Sequence, residues 1–351
     1  MLHVALKDKS YDIKIKRNGL KECGQWVSEL WTPQKVAVIS DSRVAPLYAQ
    51  MVLDALKEEN FTPYLFVVPE GEASKSFKQA QILYDKMTDA DFTRSDGVIA
   101  LGGGVIGDLA GFVASTYMRG LHFLQIPTSL LAQVDSSIGG KTAVNTDKAK
   151  NLVGTFSQPD GVLIDPQVLD TLEDRILQEG IAEIIKAAAI ADLKLWHLLE
   201  TIEDEFELRE RAEEVLLPSL IVKKEVVEAD EFDQGSRLIL NFGHTIGHAL
   251  EKNAGYGTIS HGEGVAMGMI AISTHAEKIG QTPSGTTKKL KKMIQKYHIP
   301  LQQKKEDKQA LYQTIMHDKK TRGDKIKIIL LEKIGKAKIV TISLDQMQEF
   351  L

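Results

Sequence analysis

Val98-Ile99-Ala100-Leu101-Gly102-Gly103-Gly104-Val105-Ile106-Gly107-Asp108 decides how this chain folds. A short apolar run rich in β-branched residues stops at three glycines, and an apolar stretch with helical spacing follows. That order reads as strand, tight turn, helix. Gly102, Gly104 and Gly107 form a formal G-x-G-x-x-G. Glycine there lets a pyrophosphate reach the backbone at a helix N-terminus, where free N–H groups and the helix dipole favour anions. Alone the motif is weak. A packing turn gives the same pattern, and the stretch lies on the third or fourth strand, not the first.

Working outward, the alternation repeats. Val36–Ile39 ends at Ser40-Asp41, Tyr64–Val68 at Pro69-Glu70-Gly71, Phe123–Ile126 at Pro127-Thr128, and Val162–Ile164 at Asp165-Pro166. Helical patterns such as Ala45–Glu59 and Ser76–Ala90 lie between them. Strand, helix, strand in repeated order implies a parallel sheet with crossover helices. Ligands of such sheets sit beyond the carboxyl ends of the strands. Asp41, Glu72 and Lys75 follow strand ends, where an acid suits ribose hydroxyls, although each alone reads equally well as a loop charge. His3–Leu6 and Tyr11–Ile15 alternate like a hairpin on the sheet edge.

Past Asp165-Pro166 the texture changes. Ile181–Leu199, Arg209–Glu228, Thr245–Lys252 and Gly262–Ile279 carry apolar residues at helical spacing, and Lys325–Leu331 with Lys336–Ile342 reads as a late β pair. The Lys-rich stretch 288–308 reads as a solvated helical face. The boundary falls near residues 165–172. We expect a Rossmann-like α/β parallel-sheet domain over 1–168 and a mainly α-helical domain over 169–351.

Composition narrows the class. Of 351 residues 43% are hydrophobic and 26% charged, which suits a packed globular chain and not a disordered one. A net charge of −5 argues against nucleic acid as partner. Cys23 is the single cysteine, so no intrachain disulfide framework exists. Neither a signal-peptide pattern nor an apolar run of membrane-spanning length is visible, so a cytoplasmic protein without membrane contact is expected.

Two regions carry further chemistry. In Pro127–Thr142, Gly140-Lys141-Thr142 looks like the end of a P-loop, but Asp135 occupies the position of the first glycine and would repel a triphosphate. Asp135, Lys141, Lys150 and Asn151 then gather polar groups near one strand end, with Arg119 closing the preceding helix. Arg and Lys suit a phosphate or carboxylate. In the second half, Glu183 and Lys186 stand three apart among apolar residues, either as a solvated ion pair or as a partly buried one. His244 and His248 share a helix face, and His261 opens another helix with Glu263. Two or three histidines plus a carboxylate suit Zn²⁺ with an open coordination position. His3, His197, His275 and His298 read as structural.

Together these motifs resemble one family over nearly the whole chain. They are Gly102–Asp108, Tyr117–Gly120, Pro127–Asn145, Lys150–Gly154, Glu183–Lys186, Arg237–Glu251, His261–Glu263 and His317–Lys320. The family is 3-dehydroquinate synthase of the shikimate pathway, a sugar phosphate cyclase. The resemblance implies a carbon–oxygen lyase that turns 3-deoxy-D-arabino-heptulosonate 7-phosphate into 3-dehydroquinate and phosphate. It would do so by transient oxidation by NAD, β-elimination of phosphate, re-reduction and intramolecular aldol closure. It implies Zn²⁺ or Co²⁺ on Glu183, His244 and His261. It implies NAD on Asp41, Glu72, Lys75, Gly103, Gly104, Val105, Asp108, Thr128, Ser129, Lys141, Lys150 and Thr171. Substrate would meet Arg119, Asp135, Lys141, Asn151, Lys186, Lys223, Arg237, Asn241, His248, and Lys319 or Lys320. Lys141, Glu183, Lys186 and His248 would carry the chemistry, and the chain would form a homodimer. Two rivals share the architecture: another sugar phosphate cyclase, and a metal-dependent polyol dehydrogenase, whose unphosphorylated substrate would need fewer cations.

Overall fold

A computed structural model gives the structure of residues 1–255, 257–301, 307–319 and 324–351, with the side chains at 318 and 319 outside that description. The chain divides into two compact units, Met1–Leu172 and Glu173–Leu351.

In the first unit the strands are β1 (Leu2–Val4), β2 (Tyr11–Ile15), β3 (Lys35–Asp41), β4 (Thr62–Val68), β5 (Gly97–Gly102), β6 (His122–Pro127), β7 (Lys141–Val144), β8 (Val153–Phe156) and β9 (Gly161–Ile164). The helices are α1 (Cys23–Ser28), α2 (Ala45–Glu58), α3 (Phe77–Asp89) and α4 (Gly104–Thr116). Seven strands form one sheet in the order β1-β2-β9-β6-β5-β3-β4. All its pairings are parallel except β1 against β2, the expected edge hairpin.

Both faces of the sheet are covered, which explains why its strands read as continuous apolar runs. Along β3 and β5, Val36, Val38, Ile99 and Leu101 pack with α1 and α2, while Ala37, Ile39, Val98 and Ala100 pack with Leu83, Met87 and Leu109 of α3 and α4. Each fully buried aliphatic side chain contributes about 1.5–3 kcal/mol relative to exposure. The strand order also fixes the ligand end. From β3 the chain runs outward to β4, then returns to the other side of β3 as β5 and continues to β6. The crevice between the ends of β3 and β5 is therefore the switch point at which such sheets take ligands. The glycine turn lies there although it follows a later strand than in the usual fingerprint. Asp41 pairs with Val68, and Gly102 with Pro127, so these strand ends are level.

The small antiparallel pair β7–β8 was not expected. Its strands are four residues each, and Gly154 packs its backbone on Thr142, where a Cβ would lie 2.0 Å from the carbonyl oxygen. Such short strands have no alternation to read.

The second unit holds α5 (Asp174–Ala191), α6 (Leu193–Thr201), α7 (Glu205–Glu210), α8 (Ala212–Ala229), α9 (His244–Ala254), α10 (His261–Lys278), α11 (Thr286–Lys296), α12 (Lys308–Lys319), α13 (Leu344–Met347) and the antiparallel pair β10 (Lys325–Lys333) and β11 (Lys336–Ser343). The helix read over Ile181–Leu199 is two helices. Asp192 leaves helical geometry and caps α6, its carboxylate accepting from Lys194 and Leu195 N–H. Likewise Arg209–Glu228 spans the end of α7 and most of α8. The Lys-rich stretch is helical only as far as Lys296 among its described residues before α12 begins.

Candidate metal centre and strand-end cluster

Glycine brings the histidine helices together. A Cβ on Gly247 would meet Gly264 at 2.8 Å, and one on Gly268 would meet the Gly243 carbonyl oxygen at 2.0 Å. Gly243-x-x-x-Gly247, at the start of α9, thus lies against Gly264-x-x-x-Gly268 on α10, backbone to backbone. Gly262 packs the start of α10 on Glu179 of α5, with 2.5 Å from a hypothetical Cβ to its Cα. Gly243 also holds φ +82°, a conformation that favours glycine and lets α9 begin at His244. Three helices are drawn in, and Glu183, His244 and His261 converge.

The start of α10 is fixed twice. Ser260 and Glu263 form a reciprocal capping box. The Arg175 guanidinium donates to both Glu263 oxygens at 2.8 and 3.0 Å and to the Thr258 carbonyl at 2.9 Å. His261 is the first residue of that locked turn.

Glu183 is 3% exposed and Lys186 2%, which resolves their pairing as buried, not solvated. Lys186 forms an ion pair with one Glu183 oxygen. The other oxygen faces His244 Nε2 at 3.5 Å and His261 Nε2 at 3.4 Å. Apart from the Lys186 ammonium, only these two imidazoles face the buried carboxylate, and a buried charge needs such partners. A tetrahedral ion with bonds of about 2.0–2.2 Å separates its ligands by roughly 3.3–3.6 Å. Both measured separations fall in that range, so the donor set fits Zn²⁺ or a similar cation.

Electrostatics agree. Burial opposes the Glu183 charge, but Lys186, His244 and His261 outweigh it and hold the carboxyl well below its usual range. Burial and Lys186 keep His244 neutral, well below the ordinary imidazole value. Burial would lower His261 too, but Glu183 and Glu251 together push it up to about 10. A cation entering here would displace that proton.

His261 Nδ1 lies 3.1 Å from a Glu251 oxygen, which leaves Nε2 directed at Glu183. A carboxylate behind a ligand histidine fixes its tautomer and ring orientation. The ring of exposed His248 centres 5.3 Å from His244 and 5.8 Å from His261. His248, Glu251 and His261 form a second, more open group of donor atoms. Of the two, only the first contains a fully buried carboxylate. Reading the sequence missed Glu251 and the Arg175–Glu263 anchor. The Ser260-x-x-Glu263 capping pattern and the two G-x-x-x-G spacings were the available signals.

The other expected groups of this unit lie outside the three ligand helices. Lys223 is buried on α8. Arg237 is buried, with its guanidinium Nη1 donating to the Glu231 carbonyl at 2.7 Å. Asn241 is exposed two residues before Gly243. Lys320 lies outside the described residues, as does the side chain of Lys319.

The first unit gathers its own cluster at the strand ends. Lys75 is buried, with Nζ 2.9 Å from Asp108 Oδ2 and 3.4 Å from Glu72 Oε1. Burial weakens the Lys75 charge, but Asp108 and Glu72 more than restore it. For Asp108 burial prevails over Lys75 and the carboxyl rises, with Glu72 and Asp135 adding to it. Gly103 precedes α4 and brings no side chain to cap it, so the first N–H groups from Gly104 and Val105 face outward from the helix start. Added Cβ atoms at Gly103 and Gly104 would meet Ser129 Oγ at 3.3 Å and Ser136 Oγ at 2.9 Å. Thr128 is buried and its N–H donates to Gly102. One Asp41 oxygen accepts from Arg43 and Val44 N–H. The Thr171 hydroxyl sits 2.6 Å from Tyr48 Oη. Asp135 lies on the wide turn 132–136. Lys141, Lys150 and Asn151 are exposed on β7 and the following loop. Arg119 is exposed in a turn where Met118 and Arg119 both take positive φ, a strained arrangement of the kind found at functional sites.

Two family models cover most of the chain: 3-dehydroquinate synthase N-terminal over residues 65–179 and 3-dehydroquinate synthase C-terminal over residues 180–321. The chain belongs to the 3-dehydroquinate synthase family. A 3-dehydroquinate synthase of Enterococcus faecalis (strain OG1RF) is 59% identical over 350 residues, covering 100% of this chain and 98% of that protein. A solved structure of 2-epi-5-epi-valiolone synthase from Streptomyces hygroscopicus, with NAD⁺ and Zn²⁺ bound, superposes with a TM-score of 0.88 at 27% identity, over 99% of this chain and 97% of that one. A 2-deoxy-scyllo-inosose synthase reaches 0.89 at 23% identity, over 99% and 98%, and shows the shared fold. The 3-dehydroquinate synthase architecture expected from the sequence, a Rossmann-like sheet followed by a mainly helical half, is the one found.

Proposed function

We propose that this 3-dehydroquinate synthase converts 3-deoxy-D-arabino-heptulosonate 7-phosphate into 3-dehydroquinate and phosphate, as a carbon–oxygen lyase. The observation that carries the reading is the buried Glu183 carboxylate, with one oxygen facing both His244 and His261 at 3.5 and 3.4 Å, separations that fit ligands of one cation. In this reading those three residues hold a divalent cation, Zn²⁺ or Co²⁺, and the strand-end cluster holds NAD. When bound, the cation supplies Lewis-acid polarisation of a substrate oxygen and the nicotinamide supplies reversible oxidation.

The chain's own residues do the rest. Gly103, Gly104 and Val105 offer backbone to the pyrophosphate, and Asp41, Glu72, Lys75, Asp108, Thr128, Ser129, Lys150 and Thr171 orient the cofactor. Lys186 balances the Glu183 charge and presents an ammonium at the metal centre. His248, exposed and next to two ligand histidines, is placed to pass a proton to or from substrate. Lys141, Asn151, Asp135, Arg119, Lys223, Arg237 and Asn241 bind the substrate anions and hydroxyls. The planar Arg237 guanidinium suits a carboxylate. Homodimer formation and a cytoplasmic location complete the proposal. Among the described residues no helix is long and apolar enough to cross a membrane.

The test is product analysis with excess sugar phosphate and substoichiometric NAD. Many phosphates should be released per NAD without lasting absorbance of the reduced cofactor. Stoichiometric reduced cofactor from glycerol, with no phosphate from the sugar phosphate, would instead establish the polyol dehydrogenase.

A further inference from the structure

Asn145 takes no part in the roles assigned above, yet it joins two of their segments. Its side-chain amide donates to Glu72 Oε1 at 2.7 Å. Its side-chain oxygen accepts from the Asn151 N–H at 2.9 Å. Its own N–H donates to the Lys75 carbonyl at 2.8 Å, next to an isolated parallel bridge between Ser76 and Asn145. Glu72 is in turn an ion-pair partner of Lys75, which contacts Asp108. The loop from 146 to 151 closes on itself through Thr146, whose N–H donates to the Ala149 carbonyl at 3.0 Å and whose hydroxyl accepts from Ala149 N–H at 3.2 Å. Asn151 leaves that loop with φ +54°. A non-glycine residue keeps such a conformation only where its surroundings hold it, and the Asn145 bond holds it.

We propose that Asn145 is a positioning residue: it clamps the loop bearing Lys150 and Asn151 to Glu72 and Lys75, so that this loop and the strand-end ion pair keep one geometry. This rests on the functional reading above. An amide suits the post because it must donate on one side and accept on the other. No carboxylate or hydrophobe of similar size does both.

The two bonds can be separated. Asn145→Asp keeps the acceptor for Asn151 but turns the donor facing Glu72 into a second negative charge. Glu72→Gln/Asn145→Asp restores that bond with its polarity reversed. Calorimetric NAD⁺ binding should weaken about tenfold in Asn145→Asp, as for loss of one charge-assisted bond. In the double variant it should return to within about twofold of Glu72→Gln alone. Hydrogen exchange on the ligand-free protein gives the second readout. Amides 146–151 should exchange about tenfold faster in Asn145→Ala, while the Asn151 amide stays protected in Asn145→Asp. Additive losses in the double variant, unchanged NAD⁺ affinity in Asn145→Asp, or unchanged exchange in Asn145→Ala would each overturn the clamp. If the wild-type chain binds no NAD⁺, the cofactor reading fails, and the exchange experiment still decides whether Asn145 holds the loop.

Discussion

Replacing Gly268 by alanine should unmake the metal centre from two turns away. The new Cβ would lie 2.0 Å from the Gly243 carbonyl oxygen, 2.8 Å from its carbon and 3.1 Å from its Cα. All three are backbone atoms, so no side chain can swing aside. To reach the 3.4 Å of an ordinary contact the two helices must separate by about 1.4 Å. Gly243 directly precedes His244, and Gly268 shares a rigid helix with His261. Metal bonds tolerate shifts of only about 0.2 Å, so one ligand is lost unless the helices bend. Overpacking of this kind destabilises by about 1–3 kcal/mol, a fall in Tm of roughly 2–12 °C for a unit this size. Zn²⁺ affinity should drop at least 100-fold, the upper end for disturbed ligand shells. Chelator competition measures the first quantity and thermal unfolding the second. Thr274→Ala, on the exposed side of the same helix, should change neither. Wild-type Zn²⁺ affinity in Gly268→Ala would refute the idea that backbone contact sets the ligand geometry.

Other consequences follow from single contacts. Glu251→Gln keeps an acceptor near His261 Nδ1 but removes its charge, and should weaken Zn²⁺ binding about 10-fold or more, read by the same competition assay. Cys23 is fully buried, and burial raises its thiol to about 12. It should stay unmodified by a thiol-specific disulfide reagent until the chain unfolds, and fast labelling of the native protein would contradict its placement. Asp160 accepts from Trp31 Nε1 at 2.9 Å and Phe123 N–H at 3.0 Å and pairs with Lys9 at 2.8 Å. Burial opposes its charge, but these partners hold the carboxyl below its ordinary value. A lowered folded value gives stability that is present above the unfolded pKa near 3.9 and is lost as pH falls through the folded one. Asp160→Asn should therefore cost about 1.5–3 kcal/mol at pH 7, with the difference from wild type shrinking below pH 4 in denaturant titrations.

The sheet was legible because β3, β5, β6 and β9 are apolar on both faces and each ends in a glycine, proline or acid. The helix breaks at Asp192 and Arg211 were not, since apolar spacing runs through both, and only the side-chain cap on Lys194 and Leu195 N–H marks the first. The metal ligands were visible as residue types, and the resemblance chose His261 over His248. Glu251 was hidden because its bond to His261 crosses between two helices. Asn145 was hidden for a like reason. Its partners lie 73 positions before it and six after it, and no local pattern signals a side chain that joins them.

The most direct test of the metal centre is anomalous diffraction at the zinc edge from crystals grown with Zn²⁺. One peak per chain is expected, about 2.0–2.2 Å from a Glu183 oxygen, His244 Nε2 and His261 Nε2, with Glu251 still on His261 Nδ1. A peak held by His248, Glu251 and His261, with Glu183 and His244 left outside it, would contradict the assignment.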